Sequence, residues 1–144
     1  MSRIEQVAKE ISMIAPRWMR LMRTGTVLPP TLTTSQLAVL MAIYEQGQTT
    51  SSKISKVMHV SAPTITGIVD RLVRAKYLRR IPSEKDRRMI YIQLTKKAQT
   101  EIQSFFIRIR KRWKSILIVL DVKEAENLLA VLKKILKVAE EKNV

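Results

Sequence analysis

Lys85, Arg87 and Arg88 crowd into four residues, with Glu84 before them and Asp86 among them. The chemistry that cations so close together suit is the holding of anionic oxygens, above all phosphate, which the planar guanidinium fork of arginine grips through paired hydrogen bonds. The knot runs straight into "MIYIQL" (89–94), where Ile90, Ile92 and Leu94 alternate with Met89, Tyr91 and Gln93, a strand pattern. Leu78 and Ile81 predict a partner strand upstream. Seven residues, Pro82 to Arg88, separate the two, whereas a tight hairpin needs only about 2–5 loop residues. The prediction is a hairpin with a long, basic tip. Asp86 is expected to fix one arginine while the other projects, and a projecting arginine suits a narrow, strongly negative groove.

A second group of residues lies just upstream. Ile65, Ile68, Val69, Leu72 and Val73 fall at helical spacing and form one apolar stripe. Winding that helix at about 100° per residue puts Pro63, Thr64, Gly67, Asp70 and Arg74 on the opposite face, flanked by Thr66 and Arg71. Glycine costs about 1 kcal/mol against alanine in a helix interior. A reason for Gly67 is close approach of the backbone to a ligand such as the floor of a major groove. Threonine offers a hydroxyl for base edges and a methyl for thymine. Asp70 would repel phosphate unless paired, with Arg74 four residues on or with a hairpin arginine; its expected task is to orient an arginine or to accept from a cytosine amino group. Ser61 is the expected cap of this helix.

The bulk numbers agree with an anionic partner. The 144-residue chain carries a formal charge of +15, and its pI is about 10.6. From Lys53 to Lys97 there are twelve basic and three acidic side chains, so +9 of that charge lies where the two groups sit. No cysteine is present, which excludes disulfides, thiolate catalysis, thiol redox sensing and cysteine zinc sites. His59 is the single histidine, so a histidine metal site would have one ligand at most; a helix-end or phosphate-contact role suits it better. No metal or cofactor is expected. No apolar run approaches the roughly 18 residues of a spanning helix, and "MSRIEQVAKE" lacks the apolar centre of a signal peptide. A cytoplasmic protein without a membrane partner is therefore expected.

The elements that must position these groups follow from periodicity. Residues 2–24 read as a helix through Ile4, Val7, Ile11, Ala15, Trp18 and Met22, bent at Pro16. "TGTVLPPTLT" (24–33) reads as a linker. Thr34 or Ser35 caps a helix carrying Leu37, Leu40, Met41 and Tyr44, which Gly47 ends. "TTSSKISKVMHV" holds a helix of about eight residues, joined through "MHVS" to the helix that Ser61 caps. Two short helices across a tight joint form a helix-turn-helix, and a hairpin after it makes a winged helix with the basic loop as its tip. Thr95 caps a long helix running from Ile102 past Trp113, and Asp121 or a neighbour starts the last, with Leu128, Leu129, Leu132, Ile135 and Leu136. The cluster "RIRKRWK" (108–114) reads as a solvated face. The fold class is mainly α with a small β-hairpin: a winged helix-turn-helix lobe plus terminal dimerisation helices.

In that order, "VSAPTITGIVDRLVRAKYLRR" and "SEKDRRMIYIQLT" resemble the MarR family of winged-helix transcription regulators. The resemblance covers most of the chain, and its specific part is residues 60–95. It implies one MarR-type domain over 1–144, with 34–95 as the lobe and 2–24 and 98–142 as interlocking arms of a homodimer. It implies a repressor whose two lobes read a palindrome in double-stranded DNA. The recognition helix would use Ser61, Pro63, Thr64, Thr66, Gly67, Asp70, Arg71 and Arg74, the wing Lys85, Asp86, Arg87 and Arg88, and the backbone contacts would fall to Ser51, Ser52 and Lys53. Many members respond to small aromatic anions near the junction of arm and lobe; Trp18, Arg20 and Tyr44 are the candidates here, although Trp18 and Tyr44 read first as core or dimer contacts. The family often has glycine where Lys76 stands and aspartate where Ser83 stands.

Two other classes compete with this reading. An enzyme would need a nucleophile–base pair, a phosphate-cradling glycine loop or paired carboxylates, and the sequence has none of these. A non-specific nucleic-acid binder, or a protein of anionic membrane surfaces without effector response, would use the same charge. Neither needs a wing or a glycine-bearing helix.

Overall fold

The computed structural model describes residues 1–23 and 29–142. The order is α1 (Arg3–Arg23), α2 (Thr34–Gln46), α3 (Ser51–Met58), α4 (Ala62–Arg74), β1 (Leu78–Pro82), β2 (Ile90–Leu94), α5 (Lys96–Leu117) and α6 (Val122–Lys142). Half of the linker expected at 24–33, residues 24–28 with Gly25, lies outside the described residues, as does the last residue of the 2–24 arm. The chain divides into two compact units, residues 1–108 and 109–144.

In the first unit, α2 is the central element. The apolar stripe expected on it was too narrow: Val39, Ala42 and Ile43 are buried along with Leu37 and Leu40, while Tyr44 is exposed. The cause is contact on several sides at once, with α3, α4 and β2. Its cap is Thr33, one residue before the expected pair. Thr33 accepts the Gln36 N–H at 3.2 Å and the Gln36 side chain accepts the Thr33 N–H at 2.9 Å, a reciprocal box that Thr34 and Ser35 cannot form. The stripe on α4 is as expected, with Ile65, Val69 and Leu72 fully buried. Ile54, Leu78, Ile92, Ala98 and Ile102 belong to the same core, with Leu32, Tyr77 and Leu94. The strands pair antiparallel, Leu78 opposite Leu94 and Pro82 opposite Ile90. Thr49 adds a short third rung by exchanging backbone bonds with Ile92 at 3.2 and 2.7 Å.

Helix α1 runs unbroken through Pro16 and buries none of its described side chains. In the second unit, Asp121 and Glu124 cap α6 reciprocally, at 2.8 and 3.0 Å. No residue of α6 is buried, and Ile118, Val119 and Val122 are three-quarters or more exposed. No described helix is long and apolar enough to cross a membrane.

Lys76, just past the end of α4, has φ 63°, the left-handed region. A side chain there costs about 1–2 kcal/mol, and glycine gives back about half of that through its freer unfolded chain. Lys76→Gly is therefore expected to stabilise the protein by about 0.5–1 kcal/mol in urea unfolding; a loss of stability would show that the lysine side chain carries a contact of its own.

Candidate nucleic-acid interface

The joint between α3 and α4 is fixed by local bonds. Thr50 caps α3 by accepting the Lys53 N–H at 3.2 Å, which sets Ser51, Ser52 and Lys53 on the first turn, the last two exposed. At the other end His59 takes the left-handed conformation, φ 52° and ψ 40°, a region that histidine enters more readily than most side chains. Its N–H reaches Lys56 O at 3.3 Å, and the Val60 N–H reaches Ser55 O at 3.1 Å. His59 thus ends a helix. Among the described residues no group of three or more His, Asp or Glu is placed to hold a metal ion.

Ser61 caps α4 as expected. Its Oγ accepts the Thr64 N–H at 3.4 Å and lies 2.7 Å from Thr64 Oγ1, so the two hydroxyls form one exposed pair at the helix start. Pro63, Thr64, Gly67 and Arg74, on the face opposite the buried stripe, are all exposed, as are Thr66 and Arg71 on its flanks. A Cβ built on Gly67 would meet nothing within 4 Å, so the protein's own packing does not require glycine there.

Asp70 is paired, but not with Arg74. Its Oδ1 binds the Arg80 guanidinium of β1. Sheet register explains this: Arg80 lies opposite Ile92, on the face of the hairpin that Leu78 and Leu94 turn to the core, and that face looks at α4. On the other face Arg79 donates through Nε and Nη2 to Gln93 Oε1, at 3.0 and 2.6 Å. Arg80 therefore ties α4 to the hairpin, and of the two partners expected for Asp70 it is the hairpin arginine that takes the carboxylate. Period-two alternation through Leu78 and Arg80 was the available signal.

The tip also departs from expectation in how it is held. Asp86 does not bind an arginine side chain; its Oδ1 accepts the backbone N–H of Arg88 at 2.9 Å. Ser83 Oγ accepts the N–H groups of Lys85 and Asp86, at 3.3 and 3.2 Å. The Met89 N–H donates to Asp86 O at 2.9 Å, and the Ser83 N–H to Met89 O at 3.0 Å. Ser83 and Asp86 thus spend their oxygens on the loop backbone. Lys85, Arg87 and Arg88 are exposed, and none of them forms an ion pair with another described residue. A seven-residue loop tied by five such bonds can present all three cations together.

All twelve basic side chains between Lys53 and Lys97 are exposed. Lys97 is held, its Nζ 2.8 Å from Ala75 O and 4.3 Å from the Tyr77 ring centre. In the later cluster, Arg110, Lys111 and Lys114 are exposed, whereas Arg108 is half-buried and pairs with Glu101 at 3.2 Å.

Of the residues suggested for an aromatic ligand, Trp18 and Tyr44 line different grooves among the described residues. Trp18 lines a groove on α1 with Ile11, Ile14 and Arg17. Tyr44 faces Phe106, ring centres 6.0 Å apart, and lines a different cleft with Gln48, Gln93 and Gln99. Arg20 lines neither.

Comparison with known proteins gives this geometry a context. A sequence model described as the MarR family matches residues 32–90. The uncharacterized HTH-type transcriptional regulator YpoP of Bacillus subtilis (strain 168) is 32% identical over 79 residues, 55% of this chain and 56% of that protein. The chain thus matches about half the length of that relative. Among solved structures, a MarR family protein from Bacillus stearothermophilus superposes with a TM-score of 0.81 at 22% identity, covering 95% of this chain and 96% of that one. A cysteine-to-serine mutant of MarR from E. coli, complexed with operator DNA, gives 0.65 at 25% identity, covering 92% and 95%.

Proposed function

The chain belongs to the MarR family of winged-helix regulators, and from that premise we propose that it works as a homodimeric repressor on a palindromic operator in double-stranded DNA. The observation that carries this reading is the state of charge on one lobe. Twelve basic side chains are exposed there, and Asp70, the carboxylate on the reading face, is already neutralised by Arg80. In this reading α4 enters the major groove with Thr64, Thr66, Gly67 and Arg71 toward base edges, and Ser61, Pro63 and Arg74 beside them. The wing brings Lys85, Arg87 and Arg88 to phosphates and a minor groove, with Asp86 holding the loop. Ser51, Ser52 and Lys53 meet the backbone at the start of α3.

The arms follow from exposed apolar surface. Ile11, Ile14 and Trp18 of α1, with Leu129, Ile135 and Leu136 of α6, are each 41% or more exposed. Surface of this kind marks an interaction site, and in this reading residues 2–24 and 98–142 bury it against a second copy, leaving residues 34–95 as the lobe. The releasing ligand is a small aromatic anion; Trp18 and Tyr44 line separate grooves of one chain, so in this reading the second copy completes any pocket that they share with Arg20. The regulator carries out no reaction.

Sedimentation at micromolar concentration tests the assembly. The expected mass is twice the 16.6 kDa of the chain, rising by one duplex when operator is added and falling back with excess benzoate. A monomer would overturn both dimer and palindrome. A complex unmoved by a panel of aromatic anions would remove the effector and leave the DNA reading in place.

A further inference from the structure

Gly67 stands in the middle of the exposed face of α4, one turn after Pro63 and Thr64 and one turn before Arg71. A helix interior penalises glycine against alanine. Two reasons within a protein would account for glycine there: a crowded Cβ site or a left-handed backbone. Neither holds. A Cβ at this position has open space for at least 4 Å, and Gly67 has no positive φ, unlike Gly47. The side chains around it sharpen the point. Asp70 is drawn aside to Arg80, and Thr64 is hydrogen-bonded back to Ser61. What faces outward at the centre is bare backbone, a shallow notch bounded by Thr64 and by the exposed guanidinium of Arg71.

In the major groove the group that projects farthest toward such a notch without offering a hydrogen bond is the 5-methyl of thymine. We infer that Gly67 is a specificity-determining residue: its missing side chain admits a thymine methyl in each half-site, next to the base pair read by Arg71. This rests on the DNA-binding reading and adds the base that the centre of the helix selects.

The test uses a duplex selected by the wild-type dimer from a random library and resynthesised with deoxyuridine for thymidine, one position at a time. Removing one buried methyl is expected to weaken wild-type binding about fourfold at one symmetry-related pair of positions. Gly67→Ala is expected to raise the thermal midpoint by about 2–6 °C and to weaken binding to the thymine duplex about tenfold or more. On the uridine duplex it should bind about as well as wild type, because the alanine methyl then fills the space the base methyl has left. Four outcomes would overturn the inference. A lowered midpoint would mean that the fold itself needs glycine. An equal loss of affinity on both duplexes, or on random DNA too, would mean that Gly67 faces sugar or phosphate. Wild-type-like binding by Gly67→Ala would leave the face unread. Indifference to uridine at every position would remove the methyl while sequence-selective binding stood. Failure to select any duplex would instead defeat the DNA reading itself.

Discussion

Replacing Thr64, Thr66 and Arg71 together with alanine is expected to abolish preference for the operator while leaving random-duplex binding nearly intact. Each true base contact contributes about 1–3 kcal/mol of discrimination, so two or three lost contacts per half-site lower specific affinity by a factor of roughly a hundred or more. The residues are suited to this by position. All three are exposed, Thr64 on the face opposite Ile65, Val69 and Leu72 and Thr66 and Arg71 flanking it, so their removal leaves the buried stripe untouched. Unfolding midpoints equal to wild type would confirm that the change acts on binding. Arg71 carries the largest share, as the one guanidinium of the three, without an ion pair among the described residues and able to take a guanine through two hydrogen bonds. A triple variant that lost affinity for operator and random duplex alike would show that these side chains hold phosphates, not bases.

The wing should behave in the opposite way. With Arg87 and Arg88 both changed to alanine, binding is expected to weaken on operator and random duplex to the same degree, and its salt dependence to flatten. Each phosphate contact contributes about 0.9 to the slope of log affinity against log salt, so a dimer that loses two contacts per wing drops by about 3.6. The loop should survive the change, because its bonds run through Ser83, the Asp86 carboxylate and backbone groups, not through the arginine side chains. Loss of sequence preference with an unchanged slope would reverse the roles assigned to wing and helix.

What the sequence made legible was local and periodic. The stripe on α4, the caps Ser61, Thr95 and Asp121, and the order of elements all follow from spacings within one or two turns. The capping box at Thr33 was legible too, since Gln36 stands three residues on, and a preference for the neighbouring hydroxyls concealed it. Pairings across elements were harder. Asp70 meets Arg80 because an antiparallel register turns that arginine toward α4, a fact of sheet geometry that helical spacing does not contain. Asp86 lies next to two arginines in sequence and binds backbone, because a loop that must turn back on itself satisfies its N–H groups first. The rung from Thr49 to Ile92 is a single bridge without any pattern to announce it. Lys76 is instructive in another way: the family's frequent glycine at that position matches a backbone that is left-handed here even with lysine in place.

Sequence-selective duplex binding is the centre of this account, and a competition assay reaches it most directly. A labelled duplex selected by the protein would be challenged, at about 0.15 M salt, with itself, with random duplex, with RNA of equal length and with anionic phospholipid vesicles. The account predicts that the selected duplex competes at least about a thousandfold better than random duplex, with RNA and vesicles no better than random. Equal competition by all four would contradict it, and the exposed charge of the lobe would then be that of a general binder of polyanions.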